Sequence, residues 1–281
     1  MTRRSGRSTW SRPISDTETG RHDTRFHIDG SIARLTLSRP EIRNALSGER
    51  VLDEIRTAFA TAERDPAVTV LVLDAEGPAF SAGGNVKDMA TRSGMFAGDP
   101  ERIAEEYRTT IQTLTTTLAS TDLVTIAAVD GPAVGAGFDL VLGCDLRIGS
   151  TAARFAHTFV DLGIIPGDGG AWLLPRIVGW QRAAELAFTA RMIDAAEARE
   201  IGVLLEVVAP HDLAERVREL ATTIGSKPAH SLRLTKRLFR HAHTMDLPGF
   251  LDLTAALQAV AHSTEAHHGA VESYLERLRD R

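Results

Sequence analysis

Residues 80–89 read Phe80-Ser81-Ala82-Gly83-Gly84-Asn85-Val86-Lys87-Asp88-Met89, and residues 131–140 read Gly131-Pro132-Ala133-Val134-Gly135-Ala136-Gly137-Phe138-Asp139-Leu140. Each is a turn dense in Gly and Ala that follows an apolar, strand-like run. Turns of this composition let backbone N–H groups approach a ligand closely, because little side chain stands in the way. Two of them brought together could hold one developing oxyanion between two main-chain donors.

Working outward from the turns, the chain alternates strands and helices. Val68-Thr69-Val70-Leu71-Val72-Leu73, ahead of the first turn, is a β-branched run that suits a strand buried on both faces. Thr125-Ile126-Ala127-Ala128-Val129 plays that part ahead of the second. Phe26 to Leu37 alternates around Asp29-Gly30, a hairpin signal. The spacing of Val51, Leu52, Ile55, Ala58, Phe59 and Ala62 predicts a helix over 47–64, closed by Asp65-Pro66. A mobile loop is expected over 90–100 and one long helix over 101–120. A buried helix is expected over 137–143 and a strand at Leu146–Gly149. A third Gly-rich turn, Ile164–Gly170, opens a helix through Trp172 and Leu174. Gln181–Thr189 and Asp194–Ile201 read as helices, and Val203–Val208 as a short strand. After Pro210 only helices follow, over 212–224, 228–242, 248–261 and 264–279. The expected divisions are a flexible tail (1–25), an α/β core (26–208) and a helical C-terminal region (209–281).

Composition narrows the function class. The chain is 281 residues long, room for one large domain with an appendage. A net charge of −5 offers no electrostatic case for nucleic acid or an anionic membrane surface. No apolar run approaches the roughly 20 residues of a membrane helix. Arg3, Arg4, Arg7 and Arg12 precede no apolar segment, so a secretory signal is not expected. A single cysteine, Cys144, lies in an apolar run and fits a buried thiol in a reducing, cytoplasmic setting. The histidines lack metal-ligand spacing with carboxylates, and Trp172 and Trp180 read as core or interface anchors.

Taken together, several segments resemble the crotonase superfamily, the enoyl-CoA hydratase/isomerase family. They are Leu37–Leu46, Phe80–Met89, Val129–Asp145, Phe155–Gly170, Arg176–Gly179, Ala195–Val208 and the C-terminal stretch from His267 to Arg277. The resemblance runs from about residue 26 to the end. It implies an α/β spiral of ββα units with a C-terminal helical trimerisation region, in a homotrimer or a dimer of trimers. It also implies an acyl-CoA thioester as substrate, with coenzyme A entering as part of it and no further cofactor or metal. Matched residue by residue, the two oxyanion donors fall on Gly84 and Ala136. Arg43, Ala82, Lys87 and Phe159 fall against the substrate, with Arg43 and Lys87 where the family meets the CoA phosphates or adenine.

The acids depart from the family pattern. Hydratases of the family usually use two Glu residues. One position is Asp139 here and the other is Phe159, which cannot transfer a proton. A 1,3-proton shift needs one base that removes a proton and returns it elsewhere, so the chain tilts toward isomerisation or toward a hydratase with a displaced second acid. Asp139 is the leading proton-transfer candidate, with Asp161 or Asp168 assisting. Asp161 would face the same side as Phe159 in an extended segment. Asp168 competes between catalysis and a helix N-cap. His157 reads as a packed or exposed histidine rather than an acid–base group, and Asn44 as a turn-fixing residue. A CoA-thioester hydrolase, decarboxylase or carbon–carbon lyase stands as an alternative on the same scaffold. So does an acyl-CoA-binding protein that has lost its chemistry.

Overall fold

The hairpin expected around Asp29-Gly30 forms the edge of the main sheet in the computed structural model, which describes residues 22–279. Its strands are β1 (Thr24–Asp29) and β2 (Ile32–Leu37), paired antiparallel. The tail expected over 1–25 lies outside the described residues up to residue 21. Asp23 and Thr24 belong to the fold: Asp23 is buried and receives Arg50 Nε and Nη2 at 3.1 and 2.9 Å.

The remaining strands are β3 (Val70–Ala75), β4 (Val124–Val129), β5 (Pro132–Val134), β6 (Leu146–Ser150), β7 (Arg154–Ala156), β8 (Ile193–Asp194) and β9 (Glu206–Val208). The main sheet runs β1-β2-β3-β4-β6-β9, parallel from β2 onward, and a second sheet runs β5-β7-β8. A strand in the main sheet is followed by a strand in the second, as β4 by β5 and β6 by β7. This is the spiral that the resemblance implied. The second sheet was not legible from pattern, because its strands have two or three residues each and carry no usable periodicity.

Twelve helices, α1 to α12 in chain order, complete the described chain: Glu49–Arg64, Val86–Thr91, Pro100–Thr109, Gln112–Ser120, Ala136–Leu142, Gly170–Val178, Trp180–Thr189, Ala195–Glu200, Leu213–Gly225, Ala229–Ala242, Leu247–His262 and Glu265–Arg279. The main sheet is buried on both faces, as the β-branched run at Val68–Leu73 predicts. Leu71 and Leu73 of β3 point into a core shared with Ile55 and Phe59 of α1 and with Leu114 and Leu118 of α4. Val70 and Val72 point the other way, onto Leu213, Val217 and Ala221 of α9. Thus α9, placed by sequence in the C-terminal region, seals the back of the sheet.

Three segments differ from expectation in ways that matter for the site. The helix expected over 101–120 breaks at Thr110 (φ −115°, ψ −96°), which turns Ile111 inward. The loop expected over 90–100 contains the end of α2 and a 3-10 turn at Gly94–Phe96. The segment expected to be extended around Phe159 is instead a 3-10 turn over Val160–Leu162, with Phe159 at its N-cap. Trp172 and Trp180 are both largely exposed, so neither is a core anchor, and the Arg176 guanidinium lies 3.8 Å from the Trp172 ring centroid. Among the described residues no helix is long and apolar enough to cross a membrane.

Candidate active site

The two Gly/Ala turns meet. Ser81 bridges Ala133 in parallel, with Ser81 N–H donating to Pro132 O at 3.1 Å and Val134 N–H donating to Ser81 O at 2.9 Å. Gly83 sits at the contact with φ +76°, and a Cβ there would strike Val134 O and lie 3.0 Å from Ala136 N. Only glycine fits, for space and for backbone angle alike. Asn44 braces the first turn: its Nδ2 donates to Glu76 O (2.8 Å) and Ala79 O (2.9 Å), and its backbone oxygen accepts from Ser81 Oγ at 2.8 Å. The turn-fixing role read for Asn44 is what its contacts describe.

Gly84 and Ala136 both line a cavity of about 320 Å3. Ala136 is the first residue of α5, so its N–H has no acceptor within that helix. Ala82 and Phe159 line the same cavity, and Phe159 is buried against it. Arg43 and Lys87 are exposed beside the first turn and do not line it. The walls add Met89, Met95, Phe96, Tyr107 and Ile111, none of which the sequence singled out. They converge through the break at Thr110 and the turn at Gly94–Phe96, neither of which has a periodic signal.

The three candidate acids are placed very differently. Asp139 is buried in α5 and does not line the cavity. Its Oδ1 lies 2.7 Å from His157 Nε2, and its Oδ2 accepts the Gly170 N–H at 3.0 Å. His157 is buried between two aromatic rings, edge-on to Phe138 (centroids 5.8 Å) and to Phe159 (5.0 Å). Asp161 is exposed at the cavity rim.

Asp168 lines the cavity and is only 7% exposed. It does not cap α6: the N-cap is Gly169, and the first N–H of that helix goes to Asp139. Among the described residues, no hydrogen bond reaches the Asp168 carboxyl. Burial pushes it up from the usual carboxylate range to about 7, and the neighbouring Asp139 charge adds to the rise while His157 opposes it. Tyr107, on the cavity wall, is pushed up in turn by burial and by the Asp168 charge. A carboxyl of this affinity can both take and give a proton near neutral pH. Among the described residues, no group of three or more His, Cys, Asp or Glu side chains is placed to hold a metal ion.

The family model for enoyl-CoA hydratase/isomerase matches residues 27–281. The chain is 32% identical to the 1,2-epoxyphenylacetyl-CoA isomerase of Escherichia coli K12, covering 89% of this chain and 94% of that protein. It is 33% identical to the crotonyl-CoA hydratase of Syntrophomonas wolfei, covering 88% and 93%. Among solved structures, an enoyl-CoA hydratase from Mycobacterium smegmatis matches with a TM-score of 0.84 at 28% identity over 92% of this chain and 97% of that one. A Thermobifida fusca YX protein assigned as an enoyl-CoA hydratase, solved in complex with CoA, matches with a TM-score of 0.77 at 36% identity over 85% and 92%. The chain belongs to the enoyl-CoA hydratase/isomerase family.

Proposed function

We propose that this family member binds an acyl-CoA thioester and shifts a proton next to the thioester carbonyl, with Asp168 as the proton carrier. The observation that carries the reading is Asp168 itself, a carboxyl that lines the cavity, accepts no hydrogen bond from the described residues and is pushed up to about 7. The CoA-bound relative supports the thioester as ligand. Gly84 N–H and Ala136 N–H would hold the carbonyl oxygen as charge develops on it; one such donor is worth about 2.7–4 kcal/mol where it has been removed.

The reaction balances with one base. The Asp168 carboxylate takes a proton from the carbon beside the carbonyl of a 3-enoyl thioester. The electron pair passes into the enolate, whose oxygen rests between the two N–H groups. Return of the same proton to the far carbon of the conjugated system gives the 2-enoyl thioester. A hydration reading is favoured by one observation, that Asp161 lines the same cavity. Asp161 would then take a proton from water as the water oxygen bonds to the far carbon of the double bond, and Asp168 would deliver a proton to the carbon beside the carbonyl.

The test uses crotonyl-CoA and a 3-enoyl-CoA with the wild type, Asp168→Asn and Asp161→Asn. We expect isomerisation to fall roughly 100-fold or more in Asp168→Asn and to survive in Asp161→Asn. Unchanged turnover in Asp168→Asn refutes the assignment. Loss of crotonyl-CoA hydration in both variants favours the second reading.

We also propose a homotrimer or a dimer of trimers. In support, among the described residues no side chain of α11 or α12 is fully buried, and Leu247, Leu251, Val271 and Leu275 are exposed.

A further inference from the structure

We propose that Asp139 and His157 are positioning residues for Asp168, a buried pair that fixes the turn carrying it and sets its charge from behind the cavity wall. The inference deepens the reading of Asp168 as proton carrier. Neither member of the pair lines the cavity, so neither is placed to touch a substrate there.

Geometry carries the positioning. Asp139 Oδ2 accepts the Gly170 N–H, two residues beyond Asp168, at 3.0 Å. That N–H is one of the helix-start donors without an intrahelical acceptor, and Gly169 at the N-cap has no side chain to satisfy it. Asp139 therefore caps α6 from a different helix. Gly170 lies so close that a Cβ there would overlap both Asp139 Oδ1 and His157 Nε2. The turn is held from its other side by α4, through Gln112 Nε2 to Gly167 O (2.8 Å) and Thr115 Oγ1 to Asp168 O.

The pair also joins two parts of the site. His157 bonds to Asp139 at 2.7 Å and packs its ring against Phe159, so the anchor of the Asp168 turn and one cavity wall are coupled. Its Nδ1 is buried with no partner among the described residues, so the ring engages Asp139 through Nε2.

Among the described residues, the titratable groups acting on Asp168 are Asp139 on α5 and His157 after β7, while Tyr107 on α3 and Asp161 line the same cavity. Asp139 raises the proton affinity of Asp168 more than His157 lowers it. Replacing Asp139 by Asn removes the larger of these two charge influences, so the Asp168 midpoint moves down. The Asn oxygen still accepts the Gly170 N–H, so the turn stays in place.

The experiment is a carboxyl 13C NMR titration of full-length, Asp-labelled protein, with the Asp168 signal assigned by its loss in Asp168→Asn. In Asp139→Asn we expect the Asp168 midpoint to fall by about one pH unit, a tenfold loss of proton affinity. The Gly170 amide should keep its exchange protection, and the acid limb of the kcat profile should move down with kcat retained within roughly tenfold. An unmoved or raised midpoint overturns the inference, whatever the activity. Turnover lost at every pH to the same extent as in Asp168→Asn also overturns it, by making Asp139 a proton carrier itself. Retained turnover in Asp168→Asn would instead remove the functional reading and leave the titration result standing.

Discussion

Replacing Asp168 by Asn should stabilise the fold, and the gain should grow with pH. In the folded protein Asp168 holds its proton up to about 7, against 3.8 for an unperturbed aspartate. The folded state therefore binds more protons than the unfolded state between those values, and stability falls as pH rises through that window. The full difference is about 3 pH units, or about 4 kcal/mol. By the same linkage the cost at pH 5 is about 1.7 kcal/mol, and at pH 8 it approaches the full value. Asn has no charge to desolvate, so the advantage of Asp168→Asn over the wild type should widen by about 2–3 kcal/mol from pH 5 to pH 8. Urea unfolding of both proteins at the two pH values, followed by circular dichroism, measures it. A difference that stays constant with pH would refute the buried, raised carboxyl on which the proton-carrier assignment rests.

Gly83→Ala should destabilise the fold by about 2–3 kcal/mol, because the new Cβ meets Val134 O at a positive φ. A change below about 0.5 kcal/mol in urea melts would show that the two turns are not in contact. Light scattering should give the mass of three or six chains, and a monomer at micromolar concentration would refute assembly through α11 and α12.

Much of the scaffold was legible because its signals are local. The β-branched run at Val68–Leu73 implies burial on both faces, and β3 is covered by α1 and α4 on one side and α9 on the other. The Asp29-Gly30 turn between alternating segments gave the β1–β2 hairpin. The cavity walls were harder to read. Tyr107 and Ile111 face one space only because the chain breaks at Thr110, where one long helix was expected. Asp161 and Phe159 share the cavity through a 3-10 turn, not through the alternation of an extended strand.

The acids mark the boundary between the two kinds of information. The sequence alone determined the two Gly/Ala turns and the departure at Asp139 and Phe159, since both are matters of residue type in a short segment. Turn geometry follows from missing side chains, and a phenyl ring cannot move a proton in any fold. Which carboxylate meets the cavity was decided only by tertiary structure. His157 and Gly170 lie 18 and 31 residues from Asp139 along the chain. Their meeting turns Asp139 into a helix cap and leaves Asp168 facing the space beside Gly84 and Ala136. Burial and neighbouring charge are properties of that assembled site, so the proton affinity of Asp168 could not be read from its place in the chain.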